Sequence, residues 1–184
     1  MMRTAMVAGC IGSAELADLV ARGGSLDLRL PVASLERLAA LGPSATGASQ
    51  TTTDELGTSC TFQLGSEGYP QVHLIVTGTV PLVCQRCLDL LEFPVSLDVL
   101  LTVVRSDAEA AGLTAPFETA LLVDGELLLT QVIEDEVLAA LPLAPKHPET
   151  VACGRVEQAN SGEMYRPMAG LADLLGHSDR QGNK

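Results

Sequence analysis

Val72-His-Leu-Ile-Val-Thr-Gly-Thr-Val80-Pro-Leu-Val-Cys84-Gln-Arg-Cys87-Leu-Asp-Leu-Leu-Glu-Phe93-Pro-Val-Ser-Leu-Asp-Val-Leu-Leu-Thr-Val103 holds two strand-like runs joined by a short turn with two cysteines. Before the turn, Val72, Leu74, Val76 and Val80 alternate with His73, Thr77 and Thr79. After it, Val95, Leu97, Val99, Leu101 and Val103 line one face, with Ser96, Asp98 and Thr102 on the other. Alternation with period two marks a half-buried strand, and a short connection favours antiparallel pairing. The turn places two soft thiols within reach of one metal ion, at a spacing common in zinc sites.

Upstream, Cys60, Phe62 and Leu64 alternate with Thr61 and Gln63, and Gly65-Ser-Glu-Gly68 reads as a hairpin loop. Leu26-Asp-Leu-Arg-Leu30 is a further alternating strand ended by Pro31. Ser13 to Ala21 suits a short helix with Ser13 as N-cap and Gly23-Gly24 closing it. Ser34 to Leu41 suits another, stopped by Gly42-Pro43. Residues 43–53 are a polar, low-complexity loop. Residues 1–12 carry no clear pattern. Downstream, Phe117 to Val123 reads as a strand ended by Asp124-Gly125.

Residues 127–141 form the longest helix candidate. Leu129, Val132, Ile133, Val137, Ala140 and Leu141 make an apolar stripe at helical spacing, and Pro142 stops it. Glu134-Asp-Glu136 marks the wet side. Consecutive helical residues point about 100° apart, so the three carboxylates do not converge on one ion.

These elements predict an α+β fold. An antiparallel β-sheet, open or curled into a small barrel, is built from residues 26–30, 58–64, 71–80, 91–104 and 117–123. One long helix covers it, with short N- and C-terminal helices. The domain is placed at 21–155, after an N-terminal stretch 1–20 that is poorly ordered or short-helical. A C-terminal segment, 156–184, carries a short helix and a tail.

The chain has 184 residues, of which 47% are hydrophobic, so it can bury a real core, and that core is aliphatic because there is no Trp. No apolar run reaches the roughly 20 residues that cross a bilayer. The opening apolar stretch is broken by Gly9 and Gly12 and leads into a helical pattern, which argues against a signal peptide. Five cysteines without scaffold spacing fit a reducing cytoplasm. The formal net charge is −12, from 11 basic and 23 acidic residues. No Lys or Arg falls between Arg37 and Arg86, or between Arg105 and Lys146. A general nucleic-acid binder needs a basic stripe, which this chain lacks. Contact with RNA or a partner would fall to Arg86, Lys146 and Arg155. Arg86 suits phosphate or carboxylate and equally suits a solvated turn. The acidic balance suits a basic protein partner, or solubility alone.

Two further ligands lie in His147-Pro-Glu-Thr-Val-Ala-Cys153. Cys84, Cys87, His147 and Cys153 have the composition of a closed structural Zn site. The alternatives are a Cys84–Cys87 or Cys84–Cys153 disulfide, or four reduced side chains that simply pack, with no cofactor. No GxSxG and no Walker A loop occurs, and no catalytic residue is assigned. His73 reads as a surface or cross-strand residue, His177 as incidental, Cys10 as a tail residue and Cys60 as a small core residue.

Pro81-Leu-Val-Cys84-Gln-Arg-Cys87-Leu resembles the signature of the YceD family, the large ribosomal RNA subunit accumulation proteins. The likeness continues through Gly125-Glu-Leu-Leu-Leu, Glu134-Asp-Glu136, Leu141-Pro-Leu-Ala-Pro-Lys-His147 and Cys153. It extends to Arg166-Pro-Met-Ala-Gly-Leu-Ala-Asp-Leu174, and upstream to Gly24-Ser-Leu-Asp-Leu-Arg-Leu-Pro31. It departs at Leu90, where a proline is common, at the longer 43–53 loop, and at Met168 in place of an aromatic. The resemblance implies a non-enzymatic, cytoplasmic bacterial factor supporting accumulation or processing of 23S rRNA and biogenesis of the large subunit. The implied partners are a ribosomal RNA precursor, a basic ribosomal protein, or both, with no membrane. The alternative is a CxxC-dependent redox or metal-binding enzyme. A thioredoxin-type dithiol belongs at a helix N-terminus, and here CxxC lies between strands.

Overall fold

Residues 9–42, 55–114, 118–148 and 153 are described by the structure, a computed structural model. The chain divides between Cys153 and Gly154, and every described residue belongs to the first unit.

Strand alternation builds the frame. β2 (Ser25–Pro31), β3 (Glu55–Leu64), β4 (Pro70–Val83), β5 (Leu90–Val104) and β6 (Glu118–Leu121) form one sheet in the order β2-β3-β4-β5-β6. The first four pair antiparallel, with Leu28 opposite Thr58, Cys60 opposite Leu74 and Leu74 opposite Val99. The register puts Leu56, Cys60, Phe62, Val72, Leu74, Val76 and Leu101 on one buried face. Gly78 marks a close strand approach: a Cβ there would lie 2.7 Å from the Glu55 carbonyl oxygen.

The buried face is covered by several short pieces. α1 (Ser13–Ala21) contributes Leu16 and Leu19, and α2 (Glu36–Ala39), which follows a 3-10 turn at Val32–Ser34, contributes Leu38. α4 (Leu129–Ala140) contributes Leu129, Ile133 and Val137. A separate two-stranded ribbon of β1 (Cys10–Gly12) and β7 (Glu126–Leu128) adds Ile11 and Leu127. α3 (Asp107–Ala111) lies between β5 and β6 and buries nothing.

This corrects the predicted fold class. Among the described residues the protein is mostly β, in two sheets with four short helices, and no single long helix covers a sheet. The helix expected at 127–141 is only 12 residues long. Its supposed first turn is strand instead: Asp124 and Gly125 take positive φ of 51° and 82° in a tight turn, and Glu126–Leu128 then pairs with Cys10–Gly12. Tertiary pairing has overridden a helical pattern. Nor is the main sheet wholly antiparallel or closed. β6 runs parallel to β5, because the link 105–117, which contains α3, is long enough for a crossover. Among the described residues β2 and β6 each have one neighbour, so the sheet is open and not a barrel. Ser13 is the first residue of α1, with Gly12 in the cap position. Cys10, read as a tail residue, is an exposed member of β1. The expected C-terminal helix and the 43–53 loop lie outside the described residues.

Glu134 was expected on the wet side and is buried, at 6% exposure. Its carboxylate accepts from the backbone N–H groups of Arg37 (2.7 Å) and Leu38 (3.1 Å), at the start of α2. The Arg37 guanidinium closes on Glu134 Oε2 at 3.0 Å and on Asp135. Asp135 is exposed and Glu136 half-buried.

Candidate metal centre

β4 ends at Val83, and Cys84 to Asp89 turn the chain into β5. Two backbone bonds define the turn, from Cys84 N–H to the Asp89 carbonyl and from Leu88 N–H to the Cys84 carbonyl, both 2.9 Å. Leu88 takes φ 64°, a left-handed conformation that L side chains rarely adopt. That left-handed residue completes the reversal from β4 into β5.

The second half of the centre comes from the segment after α4. Its prolines, Pro142, Pro145 and Pro148, prevent the helix from continuing. It is tied to the turn by the Gln85 N–H, which donates to the Pro145 carbonyl at 2.8 Å. His147 Nε2 lies 3.0 Å from the Leu90 carbonyl oxygen. A carbonyl can only accept, so Nε2 carries the proton there, and in the neutral tautomer the Nδ1 lone pair is the one left to face the sulfurs.

Nδ1 faces two sulfurs, Cys87 Sγ at 3.4 Å and Cys153 Sγ at 3.5 Å. Cys84 Sγ lies 3.9 Å from Cys153 Sγ. All four ligand atoms lie within 4.8 Å of one another. A tetrahedron with Zn–S near 2.3 Å and Zn–N near 2.0 Å has edges of about 3.5–3.8 Å. The donor set therefore fits a tetrahedral zinc ion in type and number, and the Nδ1–sulfur and Cys84–Cys153 separations lie close to such edges. The four residues expected from sequence are brought together. All the described cysteines are free, and a Cys84–Cys153 bond would need the sulfurs at about 2.05 Å.

The electrostatics differ between the two turn cysteines. Burial opposes ionisation of Cys84, but the backbone N–H groups of Cys87, His147 and Arg86 outweigh it and bring the thiol down to about 5. At Cys87 the Asp89 N–H favours the thiolate. Burial and the neighbouring Cys84, Cys153 and Asp89 side chains win, pushing it up to about 11. The Cys153 and Cys84 sulfurs hold the His147 imidazole above its ordinary range.

Arg86 is exposed, and its guanidinium lies against a sulfur of the centre. Its Nε and Nη2 donate to Cys153 Sγ at 2.9 and 2.6 Å. Lys146 is exposed beside His147, and Arg155 lies outside the described residues. His73 Nε2 lies 2.6 Å from Asp98 Oδ1 on the exposed sheet face. Sequence reasoning missed the Leu90 carbonyl, because a backbone acceptor leaves no trace in residue type.

A CxxC hairpin closed by a His and a Cys from a later extended segment, on a mostly β frame, defines a small Cys/His-centred β-protein. The model of the YceD family, large ribosomal RNA subunit accumulation protein YceD, matches residues 72–175, more than half of the chain and all four ligand positions. The chain belongs to the YceD family. Neither the curated proteins nor the solved structures contain a match. No helix among the described residues is long and apolar enough to cross a membrane.

Proposed function

We propose that this chain is a non-enzymatic cytoplasmic factor that supports accumulation and processing of 23S rRNA during large-subunit biogenesis. In this reading Cys84, Cys87, His147 and Cys153 hold a structural zinc ion. Family membership supports the ribosomal role. The observation that carries the role of the centre is that the turn thiols lie against Cys153 and His147, with Cys84 fully buried and Cys87 half-buried. A redox dithiol needs an accessible sulfur for its partner to attack. A closed four-ligand set instead clamps the proline-rich segment to the β4–β5 turn.

The net charge of −12 favours a basic ribosomal protein as the direct partner over naked duplex RNA. Contact with RNA would fall to basic residues such as Lys146, which is exposed, and Arg155. Co-sedimentation of the protein with large-subunit precursors, set beside a thiol-reductase assay, tests the reading. The expected result is co-sedimentation without reductase turnover. Turnover that depends on Cys84, with no association with precursors, would establish the CxxC enzyme instead.

A further inference from the structure

We propose that Arg86 is the counter-charge of the Cys/His centre, a positioning residue that holds Cys153 against the metal, and not a contact for RNA phosphate. The inference rests on the zinc reading above.

The charge sum comes first. Zn²⁺ with three thiolates and a neutral imidazole carries −1, and an unbalanced charge on a half-buried set of ligands is costly. Arg86 sits between the two turn cysteines and brings +1 to that spot. Its Nε and Nη2 lie on one edge of the guanidinium, and both reach Cys153 Sγ, at 2.9 and 2.6 Å. A two-pronged donor fixes direction as well as charge, which an ammonium would not.

Support for the ligands is uneven. Cys84 follows β4, is fully buried, and is held by backbone bonds to Asp89 and Leu88. Cys87 sits in the same turn, beside the left-handed Leu88. His147 is fixed through Nε2 and the Leu90 carbonyl. For Cys153 the contacts among the described residues are the other ligands and Arg86. The Arg86 side-chain fork thus supplies to Cys153 the support that the turn backbone supplies to Cys84. Partners of this kind orient metal ligands and sustain affinity.

The experiment compares wild-type protein, Arg86→Ala, Arg86→Lys and Arg86→Gln, all purified without chelator. Zinc content is measured first, then zinc transfer to a pyridylazoresorcinol chelator, then the site of N-ethylmaleimide labelling by mass spectrometry. The wild type is expected to hold one zinc. Arg86→Ala is expected to bind zinc about 10–100-fold more weakly, with labelling rising first at Cys153. Arg86→Lys should recover part of the affinity, through its charge, and Arg86→Gln none. If Arg86→Ala does not fold, the Lys and Gln variants carry the same comparison. Unchanged zinc retention and labelling in the variants, with co-sedimentation lost, would overturn the proposal and make Arg86 a partner contact. Wild-type protein without zinc would instead sink the metal reading itself, before any variant is compared.

Discussion

Glu134 of α4 accepts hydrogen bonds from the backbone N–H groups of Arg37 and Leu38, about a hundred positions earlier in the chain, at 2.7 and 3.1 Å. A buried carboxylate thereby satisfies the first-turn donors of α2, which has no capping side chain of its own. Glu134→Ala would orphan both donors and is expected to cost about 2 kcal/mol in chemical denaturation.

The same contact sets a pH dependence. Burial raises the Glu134 pKa, but the Leu38 and Arg37 N–H groups and the Arg37 guanidinium outweigh it and hold the carboxyl below its ordinary range. A depressed acid contributes stability that is fully present above its unfolded pKa, about 4.3. That contribution is lost as pH falls through the lower folded pKa. The stability gap between wild type and Glu134→Gln should therefore be constant near neutrality and shrink below about pH 4. A gap that does not change with pH would exclude this origin.

Ile133 sits one residue earlier on α4 and is fully buried against the sheet. Ile133→Asp places an unpaired charge in that core and is expected to cost several kcal/mol, about enough to prevent folding. Recovery of a soluble variant with unchanged thermal unfolding would contradict the packing of α4.

The alternation of β3, β4 and β5 was legible because each strand has one wet face, so residue type alone reveals its period. The helices were legible only as stripes. Glu134 was assigned to the wet side from its acidic neighbours, and nothing local to α4 announces that α2 offers N–H groups there. β7 was misread because Glu126-Leu-Leu suits a helix equally well, and its partner is a three-residue strand with no pattern of its own. The parallel pairing of β6 depends on a crossover, which periodicity does not encode. At the centre, ligand chemistry named Cys84, Cys87, His147 and Cys153. The direction of the Arg86 side chain, onto the Cys153 sulfur, came only with the geometry.

Leu88 offers a test of backbone strain beside the centre. It holds φ 64° and is 73% exposed, so its side chain buries little. A left-handed L-residue costs about 1–2 kcal/mol, while glycine adds about 0.5–1 kcal/mol of unfolded-state entropy. Leu88→Gly is thus expected to stabilise the protein by about 0.5 kcal/mol, read as a higher denaturation midpoint with an unchanged slope. A loss of stability would mean that the exposed leucine makes contacts worth more than the strain it carries.

Removing the metal ligands should loosen one segment and spare the core. Cys87→Ser takes one sulfur from the set and is expected to abolish stoichiometric zinc. Ile11, Leu38, Phe62, Leu74 and Ile133 form a cluster built without the ligands, so the variant should still fold. The segment after Ala140 has no regular structure up to Pro148, and besides the His147–Leu90 contact it is tied to the turn by the bond from Gln85 N–H to the Pro145 carbonyl. Without metal that bond should open locally, with the core hydrogen bonds unaffected. Hydrogen exchange is therefore expected to speed up at the Gln85 amide and stay slow at Val76 and Leu74. Thermal unfolding should fall by roughly 4 °C, corresponding to about 1–2 kcal/mol for a chain of this size. EDTA treatment of the wild type should reproduce both effects, and zinc should reverse them. Zinc content near zero, with Gln85 exchange and thermal stability unchanged after EDTA, would leave the four side chains as packing residues only.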